Sequence, residues 1–465
     1  MILDEIAAST KIRIAKQKEL KSLDQIKAEA LALPINQDFP FEKALTAQDI
    51  NFICEVKKAS PSKGIIAEHF PYLEIAKEYE IAGASAISVL TEPKYFLGSD
   101  KYLAQIAKEV NIPVLRKDFT LDEYQIYEAK VLGASAILLI CAILDEATLK
   151  HFKEIADSLG LSCLVEAHDA EEIKKAINCG ARIIGVNNRN LKDFTVDVEN
   201  SLRLRPLVPK DIIFVSESGM KSVEDINKLR ANNVQAALIG ETFMRAEDKI
   251  TALHNLYGDL PNRPQIKICG IRRDEDVKYI NDLQPDYAGF IFAGNSRRYV
   301  SGYQAEELAK YMSPYIKKVG VFVDEPLAII NNLVRNVPLD VVQLHGDEDE
   351  DFIREVKKTG VSVWKAVRVQ SENDVKRWRD SSADLLLFDA YSKDANGGTG
   401  KTFNWNLLKN VKRKFVLAGG LNNTNVARAI RTCRPFAVDI SSGVETNHLK
   451  DREKMRQIMI TIRKV

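Results

Sequence analysis

In the first half of the chain, lysine and glutamate recur at the ends of short apolar runs, a pairing that can move protons. Glu55 and Lys57 close the run Phe52–Lys57, Lys117 and Asp118 close Pro113–Asp118, and Glu166 lies near the end of Ser162–Ala167. Asn187 with Arg189 follows a further run, and Glu217 with Ser218 another. Lysine and carboxyl groups exchange roles as donor and acceptor when neighbours shift their pKa values. Any one of these residues could be a surface salt bridge. Five run ends behaving alike argue for a shared pocket. On chemical grounds Lys117 or Lys57 could also carry a Schiff base, as in an aldolase. The second half offers different candidates. Cys269 precedes Gly270 at a polar run end, where a thiol could be a base of lowered pKa or an inert half-buried group. Asp389, after four apolar residues, could be an acid or a loop cap, and His345 stands in Gln343–Gly346. The six histidines are dispersed without HExxH-type spacing, so no metal site is expected.

Residues so far apart need a scaffold that gathers strand ends. The first half contains eight β-rich runs: Phe52–Lys57, Ser85–Leu90, Pro113–Asp118, Ala136–Ile140, Ser162–Ala167, Arg182–Asn187, Ile212–Ser218 and Ala236–Gly240. Their apolar parts are continuous, as in parallel strands covered on both faces. Between them lie amphipathic segments ending near glycine, read as crossover helices. After a linker at 257–264 the count restarts, with eight more runs from Gln265 to Gly443. Two eightfold series predict an α/β chain of two consecutive (β/α)8 barrels, at 1–256 and 265–465, with chemistry at the C-terminal strand ends. Glycines end strands seven and eight of the first series (Gly219, Gly240), where a barrel binds phosphate. Gly420 and the pair Ser441 and Ser442 repeat that layout in the second. Lys393–Trp405 is a Gly-rich loop long enough to fold over a ligand, but its spacing is not that of a P-loop. About 45 residues precede the first strand. They predict a helical extension that either plugs the barrel, lies on its surface or covers its mouth.

Composition narrows the partners. Across 465 residues, 66 basic and 65 acidic side chains leave a net charge of +1, which gives no reason to expect nucleic acid or an anionic membrane. The start lacks the apolar core of a signal peptide, and Val131–Leu144 is too short to span a bilayer. Six cysteines without a CxxC pair suit a reducing compartment, and Cys54, Cys141 and Cys163 lie in apolar runs as buried thiols. A cytoplasmic monomer is the expectation.

Taken together, the motifs carry a resemblance. The first domain has CEVKKASPSKG at Cys54–Gly64, LRKDF at Leu115–Phe119, VEAH at Val165–His168, IGVNNRNL at Ile184–Leu191 and SESGM at Ser216–Met220. It resembles indole-3-glycerol phosphate synthase. The second has KICGI at Lys267–Ile271, SRRYVS at Ser296–Ser301, VQLHG at Val342–Gly346, GGTGKTFNW at Gly397–Trp405, LAGGL at Leu417–Leu421 and AVDISSGVE at Ala437–Glu445. It resembles phosphoribosylanthranilate isomerase, and the fusion resembles bifunctional enzymes of tryptophan biosynthesis. The resemblance implies small phosphorylated anthranilates as substrates and no cofactor. For the isomerase it implies Cys269 as base, Asp389 as acid, Arg298 at the anthranilate, His345 lining the pocket, and Gly420, Ser441 and Ser442 at the phosphate. For the synthase it implies Lys117 as general acid, Lys57 at the substrate carboxylate and phosphate, and Glu166 assisting dehydration. Glu55, Asn187, Arg189, Glu217 and Ser218 complete that pocket.

Overall fold

The structure is a computed structural model that describes residues 2–46, 50–190, 193–258, 264–390 and 402–463. Most of the linker and most of the Gly-rich loop after the sixth strand of the second series fall outside the described residues. The chain divides into two compact units, Met1–Gly258 and Asp259–Val465.

The first unit is a closed barrel of eight parallel strands in sequential order. They are β1 (Asn51–Val56), β2 (Ala86–Leu90), β3 (Val114–Lys117), β4 (Ala136–Ile140), β5 (Ser162–Ala167), β6 (Ile183–Asn187), β7 (Ile213–Glu217) and β8 (Ala236–Ile239). Because side chains alternate across a strand, every second residue points inward, and alternate strands share a layer. Ala86, Ala136, Ile183 and Ala236 form the lowest layer, from the even strands. Ile53, Leu115, Leu164 and Val215 follow from the odd strands. Two positions further along those odd strands stand Glu55, Lys117, Glu166 and Glu217. The polar set is thus one complete layer above an apolar stack. Continuous apolar runs hid this alternation, since the outward residues are buried under helices as well.

Before β1 come α1 (Ile2–Leu20), α2 (Leu23–Leu31) and α3 (Pro40–Ala44). Serine at position 22 starts α2 with a reciprocal capping box, accepting from the Gln25 N–H while the Gln25 side chain accepts from its own. The extension does two of the jobs expected of it. Phe41 and Leu45, both fully buried, plug the barrel beneath its lowest layer. Arg182 holds that plug through Glu42 at 2.9 Å and is itself held by Asp157 at 2.8 Å. The buried residues of α1, Leu3, Ile6, Thr10 and Ile14, fall at helical spacing, and its first turn reaches the barrel mouth.

The second unit repeats the closed sequential barrel. Its strands are β9 (Gln265–Cys269), β10 (Tyr287–Ile291), β11 (Lys317–Phe322), β12 (Val341–Leu344), β13 (Ser362–Val369), β14 (Leu385–Ala390), β15 (Phe415–Leu417) and β16 (Ala437–Ile440). Val319, Trp364 and Val416 fill an odd-strand layer, and Cys269, Val321, Ala366 and Ala418 the next one up. The fourth member of the lower layer is Lys267, not an apolar residue. A two-stranded hairpin, Glu445–Thr446 with Leu449–Lys450, follows β16.

Candidate active sites

A cavity of about 750 Å³ opens at the C-terminal ends of the first unit's strands. All eleven residues singled out at the strand ends of this unit line it: Glu55, Lys57, Lys117, Asp118, Glu166, Asn187, Arg189, Glu217, Ser218, Gly219 and Gly240. Lys117 is at the centre. Its Nζ lies 2.5 Å from Glu217 Oε2 and 3.1 Å from Glu166 Oε2. Lys57 pairs with Glu55 at 2.5 Å. Asn187 Nδ2 donates to Glu166 Oε1 at 3.3 Å, and Asn187 Oδ1 accepts from the Arg189 N–H at 3.1 Å.

This crowding separates the acids. Burial opposes charge on Lys117, but Glu217, Glu166 and Glu55 outweigh it and hold its pKa above the usual lysine value. Burial, with repulsion from Glu166 and Glu55, pushes Glu217 up to about 7 against the pull of Lys117. Glu166 is buried too, yet Lys117 and His168 hold it below the usual glutamate value. One lysine therefore faces a carboxylate and a carboxyl that titrates near neutrality. His168, 3.5 Å from Glu166 and 3.0 Å from Glu172, is raised by those carboxylates despite burial.

Two glycines make room for the acids. A Cβ at Gly185 would sit 2.1 Å from Glu217 Oε1, and one at Gly240 would sit 2.5 Å from Glu55 Oε1. The chain turns through Ser218 and Gly219 with φ of 69° and 97°, leaving backbone exposed to a ligand beside Gly240. Apolar walls come from Phe96, Phe119, Leu138 and Ile140, and from Ile2, Leu3 and Ile6 of α1. Sequence reading missed these walls and Gly185, although a glycine inside the strand run IIGVN was a visible sign of close packing. One strand-end residue has a different task from the others. Asp118, next to Lys117, accepts from Arg13 of α1 at 2.7 Å and from Thr91 at 2.6 Å, so it anchors the extension.

The second unit's cavity, about 480 Å³, is lined by Cys269, Arg298, His345, Asp389, Gly420, Ser441 and Ser442, again every residue named from the sequence of this unit. His345 Nε2 is 3.3 Å from Asp389 Oδ2, and His345 Nδ1 is 3.0 Å from Gln343 Nε2. Arg298 forms a two-bond pair with Glu445 at 2.7 and 2.9 Å. Lys450 joins Glu445 at 2.9 Å. Burial opposes the charge of Glu445, but these two cations win and bring its pKa down to about 2. Ser441 Oγ donates to the carbonyl of Cys269 at 3.1 Å. Cys269 itself is not at an exposed end: it is 5% exposed, buried like the other five cysteines, with its thiol against the cavity. Lys267, Asp439, Glu445 and Lys450 were missed. The alternation that put Glu55 and Lys57 on one face puts Lys267 and Cys269 on one face too, and was the available signal.

Among the described residues, no group of three or more His, Cys, Asp or Glu side chains is arranged to hold a metal ion, and no helix is long and apolar enough to cross a membrane.

Residues 3–256 match the family of indole-3-glycerol phosphate synthase, and residues 266–460 match that of N-(5'phosphoribosyl)anthranilate (PRA) isomerase. The indole-3-glycerol phosphate synthase of Ruminiclostridium cellulolyticum is 61% identical over 258 residues, covering 56% of this chain and 99% of that protein. The tryptophan biosynthesis protein TrpCF of Haemophilus influenzae is 38% identical over 464 residues, covering 96% of this chain and 94% of its own. A crystal structure of phosphoribosyl anthranilate isomerase from Thermotoga maritima is similar to 43% of this chain and 100% of its own, with 35% identity and a TM-score of 0.40. With the synthase match in the first unit, the isomerase match in the second and a fused relative aligned along nearly the whole length, the chain belongs to the bifunctional indole-3-glycerol phosphate synthase and phosphoribosylanthranilate isomerase family, a lyase and an isomerase for two consecutive steps of tryptophan biosynthesis.

Proposed function

We propose that the second unit converts N-(5-phosphoribosyl)anthranilate to 1-(2-carboxyphenylamino)-1-deoxyribulose 5-phosphate through Cys269 and Asp389. Asp389 gives a proton to the ribose ring oxygen as the ring opens to an imine. Cys269 takes the proton from C2, the electron pair moves toward the imine nitrogen, and the resulting enol becomes the ketone. Arg298, held rigid by Glu445, orients the anthranilate. Gly420, Ser441 and Ser442 hold the phosphate, and His345 packs beside Asp389.

The first unit then closes the indole ring. Lys117 protonates the carbonyl oxygen as the aromatic carbon bearing the carboxylate attacks, and loss of carbon dioxide restores aromaticity. Glu166 takes part in the following loss of water. Lys57 meets the substrate carboxylate and phosphate, Asn187 and Arg189 orient the carboxylate, and Ser218, Gly219 and Gly240 form the phosphate cradle. Glu55 and Glu217 set the charge on the two lysines. Positioning and proton transfer supply the chemistry. The observation that carries this reading is Lys117 clamped between Glu166 and Glu217 inside the cavity.

The substrates are small phosphorylated anthranilates and the place of work the cytoplasm; each cavity is lined by residues of one unit alone, which supports a monomer. An anaerobic, cofactor-free time course starting from N-(5-phosphoribosyl)anthranilate tests the sequence of steps. The ketose intermediate and then indole-3-glycerol phosphate are expected by chromatography. Accumulation of the intermediate alone would refute the roles given to the first unit, and no consumption would refute those given to the second.

A further inference from the structure

Cys269 can remove a proton only as a thiolate, and the barrel interior works against one. Burial pushes this thiol up. Four charged groups face it: Lys267 from its own strand, Asp439 from β16, Lys450 from the hairpin after β16, and Arg298 from the loop after β10. Each of the three cations has a carboxylate partner. Arg298 is held by both oxygens of Glu445, and Lys450 donates to Glu445 and to the Ser441 carbonyl at 2.9 Å each.

Lys267 differs. It is fully buried, two residues before Cys269 on the same inward face, and its Nζ meets Asp439 Oδ2 at 2.8 Å. Its charge also acts on the thiol. Asp439 Oδ1 has no hydrogen-bond partner among the described residues, so this carboxylate does not fully occupy itself elsewhere. A lysine in a layer otherwise filled by Val319, Trp364 and Val416 costs stability that methionine would not.

We propose that Lys267 is the positioning residue that makes Cys269 a base: its ammonium, balanced by Asp439 in the resting site, holds the thiolate from below. The S–H bond breaks with its proton going to water and its electron pair staying on sulfur. The thiolate then takes the C2 proton and becomes a thiol again. No oxidant or reductant enters. The inference rests on Cys269 being the isomerase base.

The test uses the full chain and reads Cys269 alkylation by iodoacetamide, by peptide mass spectrometry, between pH 6 and 10. Lys267→Met should raise the midpoint by at least about one pH unit and lower isomerase kcat/KM at pH 7 at least about tenfold, since thiolate falls tenfold per unit. Synthase turnover by the same molecule should be unchanged. Asp439→Asn removes the anion facing the sulfur and should lower the midpoint. A purely structural lysine would reduce rate without moving the midpoint, and that result overturns the proposal. If Lys267→Met leaves the second unit unfolded, Asp439→Asn decides: a lower midpoint supports the pairing, an unchanged or higher one overturns it. Alkylation does not require turnover. A midpoint that responds in a chain without isomerase activity would therefore refute the role of Cys269 and leave the pairing standing.

Discussion

Glu217 titrates near neutrality, so the synthase half should carry its signature. Its pKa is pushed up to about 7 by burial and by Glu166 and Glu55. The substrate of the synthase half brings a carboxylate and a phosphate into the same cavity. Adding that negative charge is easier when Glu217 is protonated, so the binding-competent enzyme is the form that predominates below pH 7. The free-enzyme pKa appears in kcat/KM. With a single proton at about 7, kcat/KM should fall about fivefold between pH 7 and pH 8 and approach tenfold per unit beyond. Measuring above pH 7 keeps the substrate phosphate, with its second pKa near 6, out of the profile. Glu217→Gln imitates the protonated acid and should abolish this limb. The competent wild-type form already lacks the charge on Glu217, so kcat/KM of the variant at pH 7 should stay within about threefold of wild type. His168, beside Glu166, is also raised, and His168→Gln should leave the limb in place. Steady-state kinetics on the isolated intermediate would decide. A limb that survives Glu217→Gln, or a flat wild-type profile from pH 7 to 8.5, refutes the assignment.

Cys269→Ala should reduce isomerase kcat at least about a hundredfold, the scale of a lost general base, while the synthase assay on the same sample stays unchanged. Phe41→Ala empties the barrel plug and should destabilise the first unit by about 3–5 kcal/mol in urea unfolding followed by synthase activity. A loss below about 1 kcal/mol would mean the plug does not seal the core. In Gly185→Ala the new Cβ would lie 2.1 Å from Glu217 Oε1, so Glu217 must leave Lys117. Synthase kcat/KM should fall at least about tenfold with little change in unfolding midpoint, and an unchanged rate would contradict the packing.

The two barrels were legible because parallel strands sandwiched between a core and helices read as continuous apolar runs, and sixteen of them recur in order. The candidate residues were legible because a barrel gathers strand ends, and every residue named from them lines its unit's cavity. What escaped notice depended on direction and depth. Lys117 and Asp118 are adjacent and both border the cavity, yet Lys117 pairs with Glu166 across the barrel while Asp118 pairs with Arg13 of the extension. Polarity alone cannot tell them apart, but the two-residue period can. Ile2, Leu3 and Ile6 line the mouth from a helix whose apolar positions serve two surfaces, so its pattern read only as amphipathic. Lys267 was overlooked because a lysine near a strand start is ordinarily placed at the surface.

The layers also explain why the two sites control protons differently. In the first barrel Glu55, Lys117, Glu166 and Glu217 all come from odd strands and occupy one level. Side chains on one level converge across the barrel axis, which is how Lys117 reaches residues 49 and 100 positions away. Their titrations are therefore those of a set, and a change in one acid shifts its neighbours. In the second barrel Cys269 comes from an odd strand, with three apolar partners on its level: Val321, Ala366 and Ala418. His345, Asp389 and Ser441 belong to even strands and to a neighbouring level. The thiol thus has no ionisable strand neighbour on its own level, and on its own strand the nearest inward-facing charge is one step lower, at Lys267. With base and acid on different levels, the thiol has its charged neighbours on its own and the adjoining strand, Lys267 and Asp439, and beyond the strand ends, Arg298 and Lys450. A barrel that places four polar groups on one level obtains its poised acid from their mutual repulsion and burial.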